Sequence, residues 1–139
     1  MIWHKDYTID EVQKTNVNMT QHLGFEITNL GPDSLTGTLP VDHRTKQPIG
    51  LFHGGASCVL AETLGSIASN LVLDPTKEYA VGLSITANHL KSARDGKVTG
   101  TAKPIHVGKQ THVWDIELFN DAGQKVCVSR LTTAILQRK

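Results

Sequence analysis

The chain has 139 residues and a near-balanced charge, 14 Lys and Arg against 13 Asp and Glu, for a net charge of +1. That length fits one domain over residues 1–139. With no long basic run and only 5% aromatic residues, the chain has neither the electrostatic footprint nor the stacking platform of a nucleic-acid binder. No apolar segment opens the chain and no run approaches the ~18 apolar residues of a membrane span, so secretion and membrane insertion are not expected and the cytosol is the default compartment. Cys58 and Cys127 lack the spacing of a metal knuckle or a disulfide framework and are expected to be reduced core thiols. The histidines show no zinc-ligand spacing, so neither a metal nor a cofactor is expected.

In chain order, Thr8-Ile9-Asp10-Glu11 has the form of a capping box, predicting a short helix to about Val17. Gly24 to Leu30 and Leu35 to Val41 are strand-like runs joined by the turn Gly31-Pro32-Asp33-Ser34, hence a hairpin. Asp42 to Gly50 is polar and broken by Pro48, a loop. Gly54 to Val72 is free of proline, rich in Ala, Leu, Ser and Ile, and is the only long helix expected. Tyr79 to Lys91, Gly96 to Ile105, Lys109 to Phe119 and Lys125 to Gln137 are further strand-like runs, the last two forming a hairpin around Asn120 to Gly123. One long apolar helix with these strands makes a two-layer α+β domain in which an antiparallel sheet wraps the helix.

At 100° per residue, Ala56, Leu60, Leu64, Ile67 and Leu71 form the apolar stripe of that helix, and Glu62 lies roughly opposite. Glu62 is the only acid on the helix, and its surface neighbours Cys58, Gly65, Ser66 and Ser69 are all small. An ordinary solvent face would carry Lys, Glu or Arg, so this face is expected to be approached closely by a ligand, a partner chain or both. Gly54 and Gly55 open the helix, where unpaired amides and the positive dipole end suit an oxyanion; a flexible N-cap would serve the same pair. His53 and Gln47 stand close upstream and can reach the same point; His53 alone is equally a capping histidine. His89 shares a strand face with Leu83, Ile85 and Ala87, where the plainer reading is a hydrogen-bonded histidine at the core's margin.

Three segments carry a family resemblance: Arg44-Thr45-Lys46-Gln47-Pro48, Leu51-Phe52-His53-Gly54-Gly55-Ala56-Ser57 and Leu60-Ala61-Glu62-Thr63-Leu64-Gly65-Ser66. With Val81-Gly82-Leu83, Asn88 to Gly96, Lys103 to Gly108, Trp114 to Leu118 and Ser129 to Ala134, the pattern resembles the hotdog-fold acyl-CoA thioesterases over nearly the whole chain. Within that family it is most similar to the bacterial branch of 1,4-dihydroxy-2-naphthoyl-CoA thioesterases of menaquinone synthesis and enterobactin proofreading thioesterases. The resemblance implies a hotdog fold, with one central helix wrapped by a five- to six-stranded antiparallel sheet. It implies a dimer of dimers whose sites take Glu62 from one subunit and Gln47, His53 and Gly54 from the other.

The resemblance also implies substrate contacts at Gly55, Ser66 and Ile67. It places pantetheine and nucleotide near Gly82, near His89, Leu90, Lys91 and Ser92, and near His106, Val107, Gly108, Lys109, Gln110 and Thr111. Lys91, Arg94 and Lys109 suit CoA phosphates. The β-branched Ile67 leans towards CoA over carrier-protein substrates. The implied reaction is hydrolysis of an acyl-CoA thioester, with an aryl group favoured. In it the Gly54 amide holds the thioester oxygen, His53 orients the thioester, Gln47 holds substrate or water, and Glu62 attacks or activates water. The alternatives are a proofreading hydrolase of acylated carrier protein, a hotdog acyl-thioester hydratase, a non-catalytic acyl-CoA binding protein, and Cys58 as nucleophile in place of Glu62.

Overall fold

The computed structural model describes all 139 residues. Helix α1 (Ile9–Gln13) starts on the expected capping box: Thr8 Oγ1 accepts the Glu11 N–H at 3.2 Å and the Glu11 carboxylate accepts the Thr8 N–H at 3.0 Å. It stops at Lys14, short of the expected Val17. The Thr15 hydroxyl donates to Val12 O and the Asn16 side chain donates to Phe25 O, offering the backbone an alternative to further helix. Asn18, at φ 59, then turns the chain into α2 (Met19–His22), a helical turn that was not expected.

Strands β1 (Glu26–Leu30) and β2 (Leu35–Pro40) form the predicted hairpin. Helix α3 (Gly54–Val72) has the predicted limits. Strands β3 (Glu78–His89), β4 (Lys97–Val107), β5 (Thr111–Phe119) and β6 (Lys125–Gln137) complete one six-stranded sheet in the order β1-β2-β4-β5-β6-β3. Every adjacent pair is antiparallel and the sheet does not close. It curls around α3, which packs against β2 through β6. Leu60 and Leu64 meet Trp114, Ile116, Leu118 and Leu131 in the core, all fully buried, each aliphatic side chain contributing about 1.5–3 kcal/mol. The N-terminus is strapped to this core: Trp3 stacks on Trp114 with ring centroids 6.5 Å apart, and His4 N–H donates to Leu71 O.

Two readings of α3 are corrected. Ile67, placed on the apolar stripe, is only half-buried, whereas Ala61 and Ala68 are fully buried, so the buried face is rotated from the predicted one. Gly65 and Ser69, attributed to the face awaiting an outside partner, are pressed by the chain's own sheet. A Cβ on Gly65 would lie 2.5 Å from Leu131 Cδ2, and Ser69 is fully buried.

Strand β3 is a sheet edge twelve residues long, paired only with β6. Its register with β6 slips between Gly82 and Ser84, so Leu83 bulges out with 63% of its surface exposed, beside exposed Val81. A long edge with apolar side chains is a template for pairing with another chain.

Candidate active site

The loop between β2 and α3 is tightly pinned. Arg44 Nη2 donates to Asp42 Oδ2 at 2.7 Å, and Arg44 Nη1 donates to His22 O at 3.2 Å, tying the loop to α2. Hydrogen bonds from the Arg44 side chain and backbone pull the Asp42 carboxyl down to about 2. A bridge between Lys46 and Phe52 closes the neck of the turn that carries Gln47. The Gln47 side-chain oxygen accepts the N–H groups of Ile49 and Leu51, so its acceptor is spent and its NH₂ is left as a donor.

His53 is the N-cap of α3: its Nδ1 accepts the Gly55 N–H at 2.8 Å. That bond puts the proton of the neutral ring on Nε2. It also consumes the Gly55 amide, while the Ala56 and Ser57 amides go to His53 O. The Gly54 N–H bonds to nothing within the chain, which leaves it as a donor at the positive end of a 19-residue helix. A Cβ on Gly54 would lie 3.0 Å from His89 Nε2, so the His89 ring of β3 stands close over the helix start. Gln47, Gly54, His89, Lys91 and Ser92 together line one cleft of about 280 Å³.

Glu62 lies elsewhere. Eight residues along α3 from Gly54, it is displaced by about 12 Å of helical rise. Its own cleft, about 410 Å³, is lined by Met19, Cys58, Val59, Glu62, Thr63 and Ser66, and shares no residue with the first. The carboxylate rests on the backbone of β3: a Cβ at Gly82 would fall 2.5 Å from Glu62 Oε2 and 3.3 Å from Cδ. Gly82 thus stands beneath the carboxylate. Cys58, the competing nucleophile, lines this same cleft, whereas burial pushes the Cys127 thiol up and keeps it protonated.

The remaining predicted residues are divided in the same way. Leu90 and Lys91 leave β3 with their amides directed at Val126 O, at the Gly54 end of the sheet. His106, Val107, Gly108, Lys109, Gln110 and Thr111 form the β4–β5 turn, where Gly108 N–H donates to Thr111 O. That turn is at the opposite end, because Thr111 pairs with Ala134 and Ala134 with Val81. Gly55 is exposed, and Ile67 faces a third cleft, between α1 and α3. None of Lys91, Arg94 and Lys109 is held in an ion pair. One chain therefore carries two separate groups along β3: free donors from Gly54 and Gln47 beside His89 at its end, and a carboxylate above Gly82.

A buried polar cluster beneath the C-terminal half of α3 was missed. Ser69 Oγ accepts from Trp114 Nε1 at 2.6 Å and lies 2.8 Å from Thr133 Oγ1 and 3.1 Å from His112 Nδ1. Burial pushes the His112 imidazole below its ordinary value, with neighbouring His106 acting in the same direction. The period-two pattern of β5 held the signal: His112 shares the inward face of Trp114, Ile116 and Leu118.

A single long helix in the curl of an open antiparallel sheet, with one free amide at the helix start and one carboxylate on its outer face, defines a hotdog thioesterase. The chain belongs to the thioesterase superfamily, whose family model matches residues 49–127, and is a thioester hydrolase. It is 48% identical over 137 residues to the 1,4-dihydroxy-2-naphthoyl-CoA hydrolase of Escherichia coli (strain K12), covering 98% of this chain and 100% of that one. It is 44% identical to the proofreading thioesterase EntH of Cronobacter turicensis, over 98% and 99% of the two chains. The crystal structure of a mutant thioesterase from Pseudomonas aeruginosa superposes with a TM-score of 0.97 at 43% identity, over 99% of this chain and 100% of that one.

Proposed function

We propose that the chain hydrolyses an aromatic acyl-CoA, with 1,4-dihydroxy-2-naphthoyl-CoA of menaquinone synthesis as the foremost substrate, in sites shared between two copies. The observation that carries this is the division of the half-sites along β3. Glu62 and Gly54 of one chain lie about 12 Å apart along α3 and open into different clefts, too far for one thioester carbonyl to touch both. Antiparallel pairing of β3 with the β3 of a second copy, about an axis near the middle of the strand, sets the Gly82 end of each chain beside the His89 end of the other. Glu62 then faces Gly54 and Gln47 of the partner, and the β4–β5 turn with Lys109 joins the partner's Lys91 around the CoA phosphates. Two such dimers make the tetramer of this reading, and its compartment is the cytosol.

In such a site the free Gly54 N–H and the Gln47 NH₂ donate to the thioester oxygen as it gains charge, an effect worth about 10²–10³ in rate per donor. His53, with its proton on Nε2, presents that N–H to the substrate. Glu62 delivers the nucleophile, either taking a proton from water as its oxygen attacks the carbonyl or attacking directly and being released by water. Both routes collapse the tetrahedral oxyanion with cleavage of the C–S bond, and the CoA sulfur leaves as thiolate and is protonated. Single-turnover hydrolysis in ¹⁸O-water separates them, since direct attack places label in Glu62. The E. coli relative, 48% identical over 137 residues, favours the naphthoyl substrate, and the β-branched Ile67 favours CoA over a carrier protein.

Thiol release over aryl-, short- and medium-chain acyl-CoAs and an acylated carrier protein tests the reading. The aryl-CoA is expected to have the highest kcat/KM, and Glu62→Gln to lower turnover by about 10²–10⁴-fold with the oligomer intact. Near wild-type turnover by the variant removes Glu62 from the chemistry, and preference for the acylated carrier protein replaces the CoA reading with proofreading.

A further inference from the structure

The third cleft, about 400 Å³, lies between α1 and the C-terminal half of α3, with Tyr7, Val12, Ile67 and Leu71 among its walls. Ser66 lines both this cleft and that of Glu62, so the two adjoin one helical turn beyond the carboxylate, about 6 Å along the axis. Its volume is in the range of small-molecule sites.

The wall is chemically simpler than its composition suggests. Glu11 is held by the Thr8 N–H and the Lys5 ammonium. The Thr15 hydroxyl donates to Val12 O. Asn70 donates to Ser66 O and Ala80 O and accepts from Ala80 N–H. With these groups satisfied, only the Ser66 and Tyr7 hydroxyls lack a partner within the chain, and the rest of the surface offered to a ligand is apolar. The wall is also fixed in place, since Val12 is 1% exposed and the segment before α1 is tied to α3 by the His4 N–H to Leu71 O bond.

We propose that this cleft receives the far end of the acyl group, so that Tyr7 and Thr15 of the N-terminal arm are specificity-determining residues. The proposal rests on the thioesterase site described above and adds a wall from outside it. The preferred acyl group is neutral and aromatic or aliphatic, long enough to pass Ser66. An acyl group ending in a carboxylate is excluded, because the cleft presents Glu11, which Lys5 already pairs, and no Lys or Arg lines it.

The test is the ratio of kcat/KM for 1-naphthoyl-CoA to that for butyryl-CoA, read by thiol release. Thr15 is exposed and its hydroxyl serves only its own backbone, so Thr15→Trp fills the cleft at little expense to the fold. It should lower the ratio at least tenfold while butyryl-CoA stays within twofold of wild type. Tyr7→Ala, which removes a wall, should lower the ratio at least threefold and is the readout if Thr15→Trp does not fold. An unchanged ratio in the folded variants, as when a second chain covers this face, overturns the proposal, and so does an equal fall for both substrates. Absence of thiol release by the wild-type protein would instead overturn the thioesterase site itself.

Discussion

Replacing Gly82 by Ala isolates the positioning of Glu62 from the stability of the fold. The added Cβ would lie 2.5 Å from Glu62 Oε2, and ordinary contact begins near 3.4 Å, so the carboxylate must retreat by about 0.9 Å. Because the clashing atom is the free end of an exposed side chain, it swings away without moving the backbone. Gly82 is not among the glycines held at positive φ, so alanine fits the strand, and losing a glycine from the unfolded chain is neutral to stabilising by up to about 1 kcal/mol. A displacement near 1 Å from productive geometry lowers rate by about tenfold to a hundredfold. Gly82→Ala should therefore show that loss in kcat, with an unchanged or raised melting temperature and an unchanged mass by light scattering. Wild-type kcat in a folded variant refutes the placement of the carboxylate on this strand, and a loss that tracks unfolding refutes the separation of function from stability.

Gly65→Ala is the opposite case, because its Cβ would meet the core side chain of Leu131 at 2.5 Å; it should destabilise by about 1–3 kcal/mol in urea unfolding. His53→Ala should cost about 0.5–2 kcal/mol through loss of the α3 cap, and His53→Asn should restore that stability without restoring turnover, since Asn caps well but has no Nε2–H. Burial of His112 beside His106 depresses its pKa below 6.5, with Glu78 opposing, so the unfolded chain binds the extra proton and stability falls as pH drops below 6.5. Urea midpoints between pH 7.5 and 5 should decline, and the decline should be smaller in His112→Gln. In both proteins a further loss follows as pH falls from 3.8 towards about 2, where Asp42 protonates.

Elements whose signal is local were legible in the sequence. The limits of α3 follow from Gly54-Gly55 and an unbroken helix-forming run, and the β1–β2 and β5–β6 hairpins from their turn residues. What depended on tertiary contact was not. The bond from the Asn16 side chain to Phe25 O, beyond the end of α1, reaches the start of the next strand and has no distinctive local pattern. Small residues around Glu62 announced a close approach without naming the approacher: at Gly65 and Ser69 it is the chain's own sheet. Gln47, Gly54 and His89 converge as a cleft, whereas Glu62 opens into a separate one eight residues along α3, and under the proposed function only a second copy brings them together.

That division is tested most directly by mixing defects. Chains carrying Glu62→Gln and chains carrying Gln47→Ala, co-expressed with different tags and purified through both, form mixed dimers in which one site bears both substitutions and the other bears neither. If each site takes Glu62 from one copy and Gln47 from the other, the doubly purified pool should recover aryl-CoA turnover far above either nearly inactive parent, up to about half of wild type where every dimer is mixed. Recovery no greater than the average of the two parents would contradict the shared site and return all of the catalytic groups to a single chain.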